Sequence, residues 1–171
     1  MQIREVSNVE TAKKFLDLTL ELYKNDPNWI EPLHNDINAI FNPNLNAFFQ
    51  HGCCTRWILE DSRGTCIGRV AAFINTKKAY KNHLPTGGLG FFECIKNQEA
   101  AFLLMDTARD WLKEKGMKAM DGPINFGEND RWWGLVVMVR AANALHGVLV
   151  PIYQDAVGLE CFRAFLASEQ D

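Results

Sequence analysis

No long run of lysine and arginine occurs in the 171 residues, and acidic side chains outnumber basic ones, 21 to 18. Nucleic-acid backbones are bound by clustered positive charge. Nucleic-acid binding is therefore not expected as a main role. Cysteine is sparse and odd in number, with five residues at Cys53, Cys54, Cys66, Cys94 and Cys161, and no CxxC spacing. That composition excludes a small disulfide scaffold. The adjacent Cys53–Cys54 pair invites a metal or redox reading, but neighbouring side chains of a strand point to opposite faces; ordinary thiols are the expectation.

Long apolar runs are missing too. The longest uncharged stretch of the tail, Ala141–Gln154, falls short of the ~20 residues that a membrane span needs. The start, "MQIREV", carries charges of both signs and no apolar core. It does not read as a signal peptide, and a cytoplasmic protein is expected. No His, Cys or Asp grouping has metal-ligand spacing, and no internal repeat is present. "DGPINFG" lacks the Lys-Ser/Thr end of a P-loop.

What remains is the composition of a folded domain, 47% hydrophobic and 23% charged. Residues 2–6 alternate as a short strand. Ser7 and Glu10 have capping-box spacing before a helix with Phe15, Leu18 and Leu22 on one face, widened by Leu16 and Tyr23. Pro27 stops it, and 33–41 suggests a second short helix. Residues 54–60 and 67–74 read as an antiparallel hairpin around "DSRGT". Gly68 marks a bulge or close approach. A polar connection ending in two glycines leads to a third strand, "LGFFECI". Residues 98–115 form the clearest helix, with Ala101, Leu104, Ala108, Trp111 and Leu112 on one face. "MKAM" begins a last short strand.

The strand–helix–strand unit over 89–120 predicts a parallel crossover. Ligands in such units often sit beyond the carboxyl ends of the strands. Two loops fall there: 93–98 and the segment after Met120.

The order β-α-α-β-β-β-α-β resembles the GNAT-type acyl-CoA N-acyltransferase superfamily. The phrases "DPNWIEPL", "NPNLNAFFQH", "IGRVAAFIN", "GFFE" and "GPINFGEND" are similar to those of one bacterial group within it. The resemblance covers residues 1–137. It implies an α/β fold with a mixed central sheet flanked by helices, incomplete at the C-terminus. It also implies acetyl-CoA or another acyl-CoA as donor and a small-molecule or peptide amine as acceptor. Donor contacts would fall on the end of the fourth strand and the next helix start, at Phe92, Cys94, Ile95, Lys96, Asn97 and Gln98. Free amides at a helix start attract phosphate. The chain departs from the family there: "CIKNQEAAF" contains no glycine, and Glu99 puts negative charge near the phosphates.

Acyl transfer to an amine needs an acceptor for the amine proton. Glu93, ending a strand in apolar surroundings, is the candidate, because desolvation raises a carboxyl pKa. The alternative is an exposed strand-end charge. Glu31 and His34, three residues apart on a helix, could line the acceptor side, as could Asn125, Asn129 and Trp132. Phe126 and Trp133 read either as stacking surfaces or as core. Tyr153 is a further candidate acid, matched to no family position.

Residues 138–171 form an atypical tail. Where the similar group continues with Asp-Gly, this chain has Met138-Val139. A one-base shift of an Asp-Gly codon pair would produce that change, making the chain the amino-terminal part of a longer enzyme. The competing expectation is a non-catalytic or truncated domain that binds a ligand or partner, with self-association through the apolar tail.

Overall fold

A computed structural model describes residues 1–81, 84–122, 124, 126 and 127. Five strands form one sheet in sequential order: β1 (Gln2–Glu5), β2 (Gly52–Glu60), β3 (Cys66–Asn75), β4 (Thr86–Cys94) and β5 (Ala119–Asp121). The first four pair antiparallel, and β5 joins β4 in parallel. Helices α1 (Val9–Tyr23) and α2 (His34–Ile40) lie between β1 and β2, α3 (Thr76–Ala79) precedes β4, and α4 (Gln98–Glu114) is the crossover to β5. A 3-10 turn, Ala47–His51, leads into β2. The expected order of strands and main helices is present, with two short helical turns added.

Local chemistry explains the boundaries. The cap of α1 is Asn8 rather than Ser7: its side chain accepts from the Thr11 amide, and the Thr11 hydroxyl answers from the other side. This is the capping-box exchange with Asn and Thr in place of the expected Ser and Glu. Asn97 caps α4 in the same way, accepting from Ala100 N at 2.9 Å. The glycines of "TGG" do not end the connection before β4; Gly87 and Gly88 lie within the strand.

The two faces of the sheet pack differently. On one, Trp57, Leu59, Val70, Ala72, Ile74 and Leu89 meet Ala100, Leu104, Ala108 and Leu112 of α4 in one hydrophobic cluster. On the other, Phe15, Leu16, Ile37 and Ile58 form a second cluster, joined by Phe41 and Phe91. Gly68 fulfils both parts of its expectation. Its neighbour Ile67 is the extra residue where the β2–β3 register shifts. A methyl group at Gly68 would lie 2.6 Å from Leu104 Cδ1, so the glycine lets α4 sit close on β3.

Candidate functional site

The site develops where the β4–β5 ladder ends and a bulge interrupts the pairing of β4 with β3. The parallel ladder with β5 runs only from Thr86↔Ala119 to Gly88↔Asp121. On the other side, Ala71 pairs with Gly90 and Arg69 with Glu93, so Phe91 and Phe92 together oppose Val70 alone. This is a β-bulge with the extra residue on β4. Phe91 adopts a left-handed φ of 51° there, a conformation that bulky side chains take up only when packing enforces it. Its ring is held against Phe41, at 5.0 Å between centroids, and against Phe15 at 6.0 Å. Bulges re-aim backbone beside many active sites.

Glu93 follows the bulge on the α1 side. Its Oε2 accepts from Arg69 Nε at 2.6 Å and forms an ion pair with Arg69 Nη2. Arg69 is only 4% exposed and Glu93 23%. Arg69 also donates to the Phe15 carbonyl at 2.6 Å, and its guanidinium lies 4.9 Å from the Phe15 ring centroid. Burial pushes the Glu93 carboxyl above its usual value, while Arg69 and the Tyr23 hydroxyl pull it back. Burial, with the Glu93 charge second, pushes the Tyr23 phenol up to about 12. Tyr23 stacks on Trp29, 5.5 Å between centroids. The strand-end carboxylate is thus neither exposed nor isolated. It is held by Arg69, with the Tyr23 phenol near enough to act on its charge.

Phe92 and Cys94 turn their side chains to the opposite face, against the α4 cluster. They could therefore meet a ligand at the strand edge only through backbone. The Ile95 amide already donates to the Ile67 carbonyl at 2.9 Å. Lys96, Asn97 and Gln98 are exposed at the start of α4, where Asn97 occupies the Ala100 amide. An open cleft of about 580 Å³ beside this helix start is lined by Asn97, Gln98, Glu99, Phe102, Leu103 and Asp106. Its two carboxylates oppose a pyrophosphate, consistent with the missing glycine turn.

Glu31 and His34 come together, with His34 Nε2 2.8 Å from Glu31 Oε1. The contact lacks hydrogen-bond geometry at that nitrogen. Asn125, Asn129, Trp132, Trp133 and Tyr153 lie outside the described residues. Phe126 is core: it is 1% exposed and meets the rings of Phe48, Phe49 and Phe73. Asn46 holds it there by donating to the Phe126 carbonyl at 2.8 Å and to the Ile40 carbonyl at 2.7 Å. Ile124 and Phe126, beyond β5, therefore lie over β4 and its neighbour β3. Ile124 N donates to Leu89 O at 2.8 Å, and a Cβ on Gly90 would fall 2.0 Å from Ile124 O.

Sequence reasoning passed over Arg56, Arg69 and Tyr23. The signal available was a charge inside an apolar strand, as in "TRWIL" and "GRVAA", since such charges are buried only with a partner or a purpose. The four described cysteines, Cys53, Cys54, Cys66 and Cys94, are free thiols. Burial pushes Cys54 up to about 12 and Cys66 and Cys94 to about 11, which keeps them protonated.

No protein-family model matches the chain. Protein YghO of Escherichia coli K12 is 28% identical over 127 residues, 74% of this chain and 32% of that protein. A bacterial ceramide synthase of Caulobacter vibrioides is 30% identical over 132 residues, 76% of this chain and 34% of that protein. The chain spans about a third of the length of these curated relatives. A predicted acetyltransferase from Clostridium acetobutylicum, solved with acetyl-CoA, superposes with a TM-score of 0.51 at 16% identity. That match covers 79% of this chain and 95% of the other. The chain has the GNAT-type N-acyltransferase fold, a mixed sheet with helices on its two faces.

Proposed function

We propose that this chain takes part in N-acyl transfer, receiving acyl-CoA along β4 and passing its acyl group to an amine. The observation that carries the reading is the Phe91–Phe92 bulge on β4, just beyond the last β4–β5 pair and the Ile124–Leu89 hydrogen bond. In the reaction the amine nitrogen attacks the thioester carbonyl carbon. The tetrahedral oxyanion then collapses, the C–S bond breaks, and CoA leaves as a thiolate that takes up a proton. Such an oxyanion is stabilised in acyl transfer by preorganised donors.

Glu93 is the acceptor for the amine proton in this reading. A base must be ionised, and burial works against that by raising the carboxyl above its usual value. Arg69 pulls in the opposite direction, so it orients Glu93 and favours the form that can accept. The phenylalanine wall of Phe15, Phe41 and Phe91 would keep water from the thioester. Calorimetric titration with acetyl-CoA and longer acyl-CoAs tests the proposal. Saturable heat with a rise in thermal stability is expected; no heat and no thermal shift across the panel would overturn it.

A second reading is a non-catalytic or truncated domain that binds a ligand or protein partner. It draws on the start of α4, where the Asn97 cap and the carboxylates of Glu99 and Asp106 replace a glycine-rich phosphate turn. Acyl-CoA binding without transfer to any amine in a broad panel would favour it.

A further inference from the structure

Two arginines share the α1 face of the sheet, and among the described residues only Arg69 has an anion partner. Arg69 is neutralised by Glu93. Arg56, on β2 opposite Ala71, places its guanidinium 4.2 Å from the Phe41 ring centroid and 5.1 Å from that of Phe15. Its Nη1 is buried and receives no hydrogen-bond acceptor from any described residue. The groups that act on its charge are the Cys54 thiol and Arg69. Burial lowers its pKa, and the like charge of Arg69 adds to that.

Ring faces attract a guanidinium but cannot accept its in-plane hydrogens. A buried donor without an acceptor is costly, and natural proteins keep few of them. The planar fork matches a planar carboxylate. One unspent positive charge balances one negative charge, which favours a monoanion over a phosphate dianion. Phe41 connects this position to the active end of β4, because its ring also contacts Phe91 at the bulge.

We propose that Arg56 binds the carboxylate of the acyl acceptor, which is therefore a small amine-bearing acid. This rests on the acyl-transfer reading for the word acceptor, but the anion site itself does not. The test uses the full chain and follows the Arg56 side-chain nitrogen resonances by NMR. The probes are acetate, leucine, leucinamide and inorganic phosphate. Acetate and leucine are expected to move the Arg56 signals, with leucinamide at least tenfold weaker than leucine and phosphate weaker than both. Arg56→Met, which lacks those resonances, is expected to fold, retain or gain thermal stability, and lose the saturable heat that acetate and leucine give with the parent chain in calorimetry.

No response of Arg56 to either carboxylate, equal binding of leucine and leucinamide, or tighter binding of phosphate overturns the proposal. So does an Arg56→Met protein that is less stable while its response to carboxylates is unchanged, which would make Arg56 a packing residue over Phe41. Acetyl-CoA is titrated into the same samples. An Arg56 response without acetyl-CoA binding keeps the anion site and removes its link to acyl transfer. Acetyl-CoA binding without an Arg56 response does the reverse.

Discussion

On the α4 side of the sheet, Leu59, Val70, Ala72 and Leu89 meet Leu104, Ala108 and Leu112 as hydrocarbon against hydrocarbon. On the α1 side, Arg56 and Arg69 lie among the rings of Phe15, Phe41 and Phe91, and a bulge breaks the strand ladder. The first arrangement stabilises by removing apolar area from water. The second holds charge and irregular backbone out of water, which is unfavourable unless partners or ligands compensate. One face therefore keeps the fold, and the other is where chemistry can be placed.

That contrast can be broken most forcefully from the α4 side. Leu104→Ala removes a fully buried side chain and should cost about 2–5 kcal/mol, as core truncations do. Chemical denaturation measures it, and acyl-CoA affinity per folded molecule should be unchanged. On the α1 side, Glu93→Ala leaves Arg69 buried without its carboxylate and should cost about 3 kcal/mol, the lower end for a broken buried pair because Glu93 is partly exposed. The double change Arg69→Met with Glu93→Leu should recover most of that stability while transfer stays lost. Transfer surviving in that double variant would remove Glu93 from the mechanism.

Gly90→Ala tests the crossing of the post-β5 segment. Its Cβ would strike the Ile124 carbonyl, so a loss of about 1–3 kcal/mol is expected from overpacking. Phe126 should become more accessible to solvent, which quenching of a Phe126→Trp reporter would detect.

The smallest effect separates two carboxylates by the sign of their pH dependence. Lys14, at 2.6 Å, and Arg4, at 3.1 Å, hold Glu60 below its ordinary value of 4.5. Its contribution is present above 4.5 and is lost as pH falls through the lower folded value. Glu93 is shifted upward by burial. Its contribution is present below the ordinary carboxyl value and lost as pH rises through the folded one. Stability measured across the acid range should lose part of its acid limb in Glu60→Gln and gain a flatter upper limb in Glu93→Gln.

Much of this architecture could be read from the chain. The face of α4 was legible because Leu104, Ala108 and Leu112 recur at helical spacing and all are buried. The hairpin was legible because "DSRGT" separates two β-rich runs. The N-cap of α1 was misplaced by one residue, since Ser7 and Asn8 are both good caps and only the Thr11 hydroxyl decides between them. The site was less legible. Glu93 was visible as a strand-end carboxylate, but its partner lies 24 residues earlier across a register shift. Arg56 was signalled only by its charge inside the apolar run "TRWIL". Phe126 looked as much like a ligand platform as like core, and its fate depends on Asn46, 80 residues away.

The proposed function stands or falls on acyl-CoA binding along β4 at the Phe91–Phe92 bulge. Residue-resolved amide NMR during an acetyl-CoA titration tests this most directly. Saturable shifts concentrated on Phe91, Phe92, Glu93 and Cys94, with the α4 core amides of Leu104 and Ala108 little changed, are the predicted result. Saturable binding that leaves the β4 amides unmoved, or no binding at all, would contradict it.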